Sequence, residues 1–147
     1  MKLGKILVAH DFSQPADRAL AFATSFASRL GAALDVVHVH PDVYDGHSDS
    51  ALGTPWPSQE QEQRYLRFLD QELARAVEQV LSDKSDAVTR HVVRGDPVKR
   101  IEALATEIGA DMLCLGSTGK GAVHRVLLGS VSQRVVRTSR IPVVTVH

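Results

Sequence analysis

The chain has 147 residues, enough for one domain spanning residues 1–147, and its 17 basic and 17 acidic side chains leave a formal net charge of zero. That balance argues against electrostatic capture of nucleic acid or of an anionic membrane surface, and the apolar runs fall far short of the ~20 residues that cross a bilayer. Cys114 is the only cysteine, which excludes an intrachain disulfide; together with the lack of a secretory leader pattern it predicts a cytoplasmic protein.

The first element is Lys5-Ile6-Leu7-Val8-Ala9, a near-continuous apolar run of the kind found in strands covered on both faces. His10-Asp11-Phe12 leads out of it, Ser13 suits a helix cap and Pro15 suits the first turn. Leu20, Ala23, Ala27 and Leu30 recur at helical spacing before Gly31, a helix-ending glycine. Residues 34–39 form a second apolar strand. Residues 41–57 lose all periodicity, and so long a connection inside a compact domain is usually functional or mobile.

Ser58 with Gln61 makes a capping box, and Leu66, Leu69, Leu73, Val77 and Val80 form the stripe of a long helix. Residues 87–93 read as a third strand. Gly95-Asp96-Pro97 reads as turn, cap and first helical residue, followed by a helix with Ile101, Leu104, Ala105 and Ile108 on its buried face, ended near Gly109. Residues 112–115 are strand four, 131–138 a short helix, and 141–146 strand five with Pro142 near its start. Alternating strands and helices predict right-handed crossovers: an α/β fold with a five-stranded parallel sheet and helices on both faces.

In such a sheet a ligand lies at the carboxyl ends of the strands, where strand order reverses. The relevant ends are Ala9-His10-Asp11, Val39-His40 and the stretch from Leu115 to Gly119. Gly116-Ser117-Thr118-Gly119, then nine residues, then Gly129-Ser130 places glycines after a strand and before a helix, as a phosphate loop requires. The Lys-Ser/Thr of a Walker loop is missing after Gly121, and no G-x-G-x-x-G follows the first strand. Ser130-Val131-Ser132-Gln133 also reads as a capping box, so Ser130 has two readings. Asp11 likewise has two, as a turn residue and as a group facing the crevice. Lys120, His124 and Arg125 are either phosphate-neutralising cations or solvated loop residues. His38 and His40 share a strand face but lack a third metal ligand nearby in sequence, which favours packing or hydrogen bonding for His38. Cys114 reads as core. Trp56, between Pro55 and Pro57, reads as a cover for a base or a partner, or as a loop anchor.

The pattern Gly116-x2-Gly119-x9-Gly129-Ser130 resembles that of the universal stress protein family, in its nucleotide-binding branch. The likeness extends through Ile6-Leu7-Val8-Ala9-His10-Asp11-Phe12-Ser13, His38-Val39, Gly95-Asp96-Pro97 and Ile141-Pro142-Val143-Val144, essentially the whole chain. It implies a Rossmann-like fold of the adenine-nucleotide α-hydrolase type, ATP or another adenine nucleotide as ligand, and a homodimer acting in stress responses. By the same resemblance, Ala9, His10 and Asp11 would face ribose and adenine, and Asp11 would help hold a divalent cation such as Mg or Mn. Main-chain groups at Val39 would meet the adenine edge. Leu115, Gly116 and Gly119 would pass close under ribose and phosphates. Gly129, Ser130, Val131 and Ser132 would bind phosphate oxygens through N–H groups and two hydroxyls. A helix N-terminus supports that last assignment independently, through its partial positive charge and unpaired donors.

Three functions follow for comparison: an ATP-binding regulatory module with a partner unknown, a slow metal-dependent ATP hydrolase, and a nucleotide-free dimeric partner-binding protein. The three glycines with Ser130 favour the first, and no positioned general base supports the second. The apolar strand Val143–Val146, if it lies at the sheet edge, invites a second copy.

Overall fold

The structure, a computed structural model, describes residues 3–41, 58–82, 87–118 and 128–147. Nine elements alternate as expected: β1 (Lys5–Ala9), α1 (Gln14–Leu30), β2 (Ala33–His40), α2 (Gln59–Leu81), β3 (Val88–Arg94), α3 (Pro97–Glu107), β4 (Met112–Gly116), α4 (Ser130–Thr138) and β5 (Val143–Val146). The strands form one sheet in the order β3-β2-β1-β4-β5, with every pair parallel.

Side chains of a strand alternate between faces, and the two cores follow that period. Ile6, Val8, Val36 and Cys114 pack with Leu20 and Ala23 of α1 and Leu73 and Val77 of α2. Leu7, Val37, Leu113 and Leu115 pack on the other face with Ile101 and Leu104 of α3 and Val135 of α4. Both faces of β1 and β4 are thereby buried, which is why these strands read as continuous apolar runs.

Local signals set the helix ends. Ser13 accepts from the Ala16 N–H, and α1 ends at Gly31 with φ 64°. The Ser58–Gln61 capping box forms reciprocally at 3.2 and 2.7 Å. One boundary differs from the expected one in a way that matters for the edge. β5 starts at Val143 rather than at residue 141, because the Ile141 N–H donates to the Ser139 hydroxyl, which donates in turn to the Ile141 carbonyl. Both main-chain groups of Ile141 are spent in that turn and cannot join the ladder. Among the described residues no helix is long and apolar enough to cross a membrane.

Candidate functional site

The strand order reverses between β1 and β4, since β2 and β3 extend the sheet from β1 on one side and β4 and β5 on the other. A cleft of about 310 Å³ opens there, at the carboxyl ends of the strands. Its lining comes from four places: Ala9, His10 and Asp11 after β1; Val37, His38, Val39 and Pro41 along and after β2; Leu115, Gly116 and Thr118 at the end of β4; and Gly129, Ser130, Val131 and Ser132 at the start of α4. Pro97 and Ile101 of α3 complete an apolar wall. Ten of the eleven site residues expected from sequence are thus brought together; Gly119 lies outside the described residues, as do Trp56, Lys120, His124 and Arg125.

At the α4 end of the cleft the capping reading of Ser130 does not hold. The N-cap is Gly129, with extended φ −68° and ψ 160°, and among the described residues no side chain caps the helix. Ser130 is the first helical residue, so the Ser130–Gln133 capping box does not form. The Gly129 N–H donates to the Ser117 carbonyl at 2.6 Å, which holds the cap against the end of β4. A helix start without a side-chain cap keeps its positive end available to an anion.

Ser132 corrects one expectation. It is buried, and its hydroxyl donates to the Gly116 carbonyl at 2.7 Å. This hydroxyl therefore ties α4 to β4, and of the two hydroxyls expected to meet a phosphate only that of exposed Ser130 is presented. Gly116, which lines the cleft, has a structural reason to be glycine as well. A Cβ at this position would lie 2.7 Å from the Pro15 carbonyl carbon and 2.8 Å from the Ala16 nitrogen. The close approach of α1 therefore by itself excludes a side chain here.

At the end of β1, His10 has a structural role beside its place at the cleft. Its ring is buried, with Nε2 3.0 Å from the Asp17 carboxylate and Nδ1 accepting the Phe12 N–H at 3.2 Å. A main-chain N–H can only donate, so Nδ1 is unprotonated and Nε2 carries the proton toward Asp17. The ring thus organises the turn, and His10 also lines the cleft. Asp11 accepts from both the N–H and the hydroxyl of Ser13, at 3.1 and 2.5 Å, while lining the cleft. Its turn role and its place at the crevice coexist. Phe12 sits between them with φ 63°, an uncommon conformation for a bulky residue, packed 4.3 Å from the His38 ring and 5.7 Å from the His10 ring.

His38 donates from Nδ1 to the His10 carbonyl at 2.8 Å, joining the ends of β1 and β2 as the hydrogen-bonding reading predicts. Burial, the largest influence, lowers its pKa below the ordinary 6.5. His40 instead meets the edge of Tyr65. Among the described residues no group of three or more His, Cys, Asp or Glu side chains is placed to hold a metal. Cys114 is core, and burial pushes its thiol up to about 12.

Val37, Pro41, Pro97 and Ile101 line the cleft without having been assigned to it from sequence. Gly95-Asp96-Pro97 carried the usable signal: a cap and helix start immediately after a strand puts the first turn of α3 at the same sheet edge.

A doubly wound parallel sheet with a partly apolar cleft at its switch point, closed at one end by a helix N-terminus, defines the class of fold and site. Residues 2–147 match the universal stress protein family. A universal stress protein of Thermus aquaticus is 36% identical over 142 residues, which cover 97% of each chain. One from Mycobacterium tuberculosis is 32% identical over 147 residues, and there the chain spans 47% of the relative's length. The solved structure of a Methanocaldococcus jannaschii relative is 27% identical, with a TM-score of 0.74 over 99% of this chain and 96% of that one. An Archaeoglobus fulgidus universal stress protein, solved in complex with dAMP, shares the fold at 24% identity, with a TM-score of 0.62 and full coverage of both chains. The chain belongs to the universal stress protein family.

Proposed function

We propose that this chain is an adenine-nucleotide-binding regulatory module, with ATP as the principal ligand. One observation carries the reading: the uncapped start of α4, at Gly129 and Ser130, closes one end of a cleft whose other wall is apolar, formed by Val37, Val39, Pro97 and Ile101. Such a cleft offers a base an apolar slot and a phosphate a set of N–H donors. An Archaeoglobus fulgidus protein of the same fold was solved with dAMP, an adenine nucleotide, which supports the ligand class. Asp11 is the one carboxylate among the described cleft residues, so it is the residue that would help hold a Mg or Mn ion brought in with the phosphates. Binding of this kind needs no base or nucleophile, which favours regulation over turnover.

The module acts as a homodimer in this reading, through β5. Among the described residues β5 has one sheet neighbour, β4. Pro142 and Val146 turn their carbonyls toward β4, accepting from Leu113 and Ser117. By the alternation of a parallel ladder, Val143 and Thr145 turn their main-chain groups outward.

Calorimetric titration with ATP, repeated on Gly129→Val, tests the binding claim. A saturable heat in the native chain that weakens at least about tenfold in the variant, with thermal stability retained, is the expected result. No heat with ATP, ADP or AMP at millimolar concentration would overturn it. Phosphate release that disappears in Asp11→Ala would instead establish the slow hydrolase.

A further inference from the structure

The phosphate end of the cleft has a cation beside it that the reading above leaves unused. Arg134 stands four residues after Ser130, so the two share one side of α4, and long helical side chains lean toward the N-terminus. The Arg134 Nη1 lies 3.4 Å from the Asp96 Oδ2, on the N-cap residue of α3. The other Asp96 oxygen accepts the Lys99 N–H at 3.0 Å. Asp96 immediately precedes Pro97, and both Pro97 and Ser130 line the cleft. The guanidinium therefore stands outside the lining itself, paired with the residue that precedes Pro97 and one helical turn from Ser130.

Its present partner holds it loosely. The Arg134 side chain is 57% exposed and that of Asp96 37%, and an exposed pair of this kind contributes little to stability. Asp96 has a second partner: the Lys99 N–H is the first cause holding its carboxyl below the ordinary carboxylate range, with Arg134 adding to it. A guanidinium offers a planar fork of donors that matches phosphate oxygens, and a phosphate carries more charge than the carboxylate it would replace.

We infer that Arg134 is a specificity-determining residue of the cleft, exchanging Asp96 for the outer phosphates of a nucleoside polyphosphate and so favouring ATP over AMP. The inference rests on the nucleotide reading of the cleft. Asp96 in this arrangement is the parking partner, competing for the guanidinium when no polyphosphate is bound.

The native chain, R134Q, R134K and D96N are titrated calorimetrically with ATP and with AMP in one magnesium-containing buffer. Loss of a charge-assisted contact predicts that R134Q binds ATP about tenfold more weakly while AMP changes by less than about twofold, with R134K between the two. D96N keeps a capping acceptor but releases the guanidinium, so ATP affinity rises about two- to threefold. The opposite signs are decisive, since a pair that merely braces α3 against α4 would make R134Q and D96N weaken alike. Equal losses of ATP and AMP in R134Q, unchanged ATP affinity in R134Q, or weaker ATP binding in D96N would overturn the inference and leave nucleotide binding standing. A native chain that binds neither ligand would overturn both.

Discussion

The Ser132 hydroxyl donates to the Gly116 carbonyl across sixteen residues of sequence, at 2.7 Å and out of solvent. The bond fixes the first turn of α4 against the last residue of β4, the two elements whose ends form the proposed phosphate site. Ser132→Ala removes the donor and leaves a buried carbonyl short of a partner, a cost of about 1–2 kcal/mol. Denaturant unfolding checks this, and ATP affinity should fall as well because the donors of α4 lose their anchor. Unchanged stability would mean the carbonyl is satisfied by other means.

Gly116→Ala should destabilise the chain by roughly 1–3 kcal/mol, the usual cost of overpacking. The added Cβ meets main-chain atoms of Pro15 and Ala16 at 2.7–2.8 Å, so α1 must shift away from β4. Thermal unfolding reads the loss in the absence of any nucleotide. A loss of ATP affinity with no loss of stability would return Gly116 to the role of ligand contact.

Stability should fall as the pH drops below the ordinary histidine range, in part through His38. Burial depresses its folded pKa below 6.5, so between that value and 6.5 the unfolded chain binds the extra proton and the folded chain does not. The unfolded state is therefore favoured progressively as pH falls through this window. His10, His40 and Asp11 also act on His38, so the measurement is a comparison. His38→Asn keeps a donor for the His10 carbonyl without titrating. Urea unfolding at about pH 8 and about pH 5.5 should show a smaller acid loss in the variant. Equal losses would remove His38 as a contributor.

Thr145→Pro is expected to turn the proposed dimer into a monomer while leaving the fold intact. Proline removes an outward N–H, and proline is tolerated on an edge strand where the missing donor faces away from the sheet. Sedimentation equilibrium of the native chain and the variant distinguishes the outcomes. A native monomer, or a dimer unaffected by the substitution, would exclude assembly through β5.

Much of the fold is legible in sequence because β1 and β4 are buried on both faces and read as apolar runs, while Ser13, Ser58, Asp96 and Gly31 mark helix ends locally. The cleft is legible because parallel topology brings the ends of β1, β2 and β4 together. What escapes are causes that lie far away along the chain. The glycine at 116 is visible, but α1, which requires it, is about a hundred residues upstream. Ser130 and Gly129 are both acceptable caps by residue type, and the Gly129 contact with Ser117 makes the choice. The Arg134–Asp96 pair spans thirty-eight residues and two helices, with no local pattern to announce it.

The central claim, an adenine nucleotide held across the switch point, is tested most directly by adding ATP to the nitrogen-15-labelled chain and following its amide resonances. Saturable shifts should concentrate at Ser130 and Val131 at the start of α4, at Val39 after the β2 core and at Asp11 after β1. The amides along the far ends of α1 and α3 should stay unmoved. Shifts confined to another surface, or none at millimolar ATP, would contradict the account.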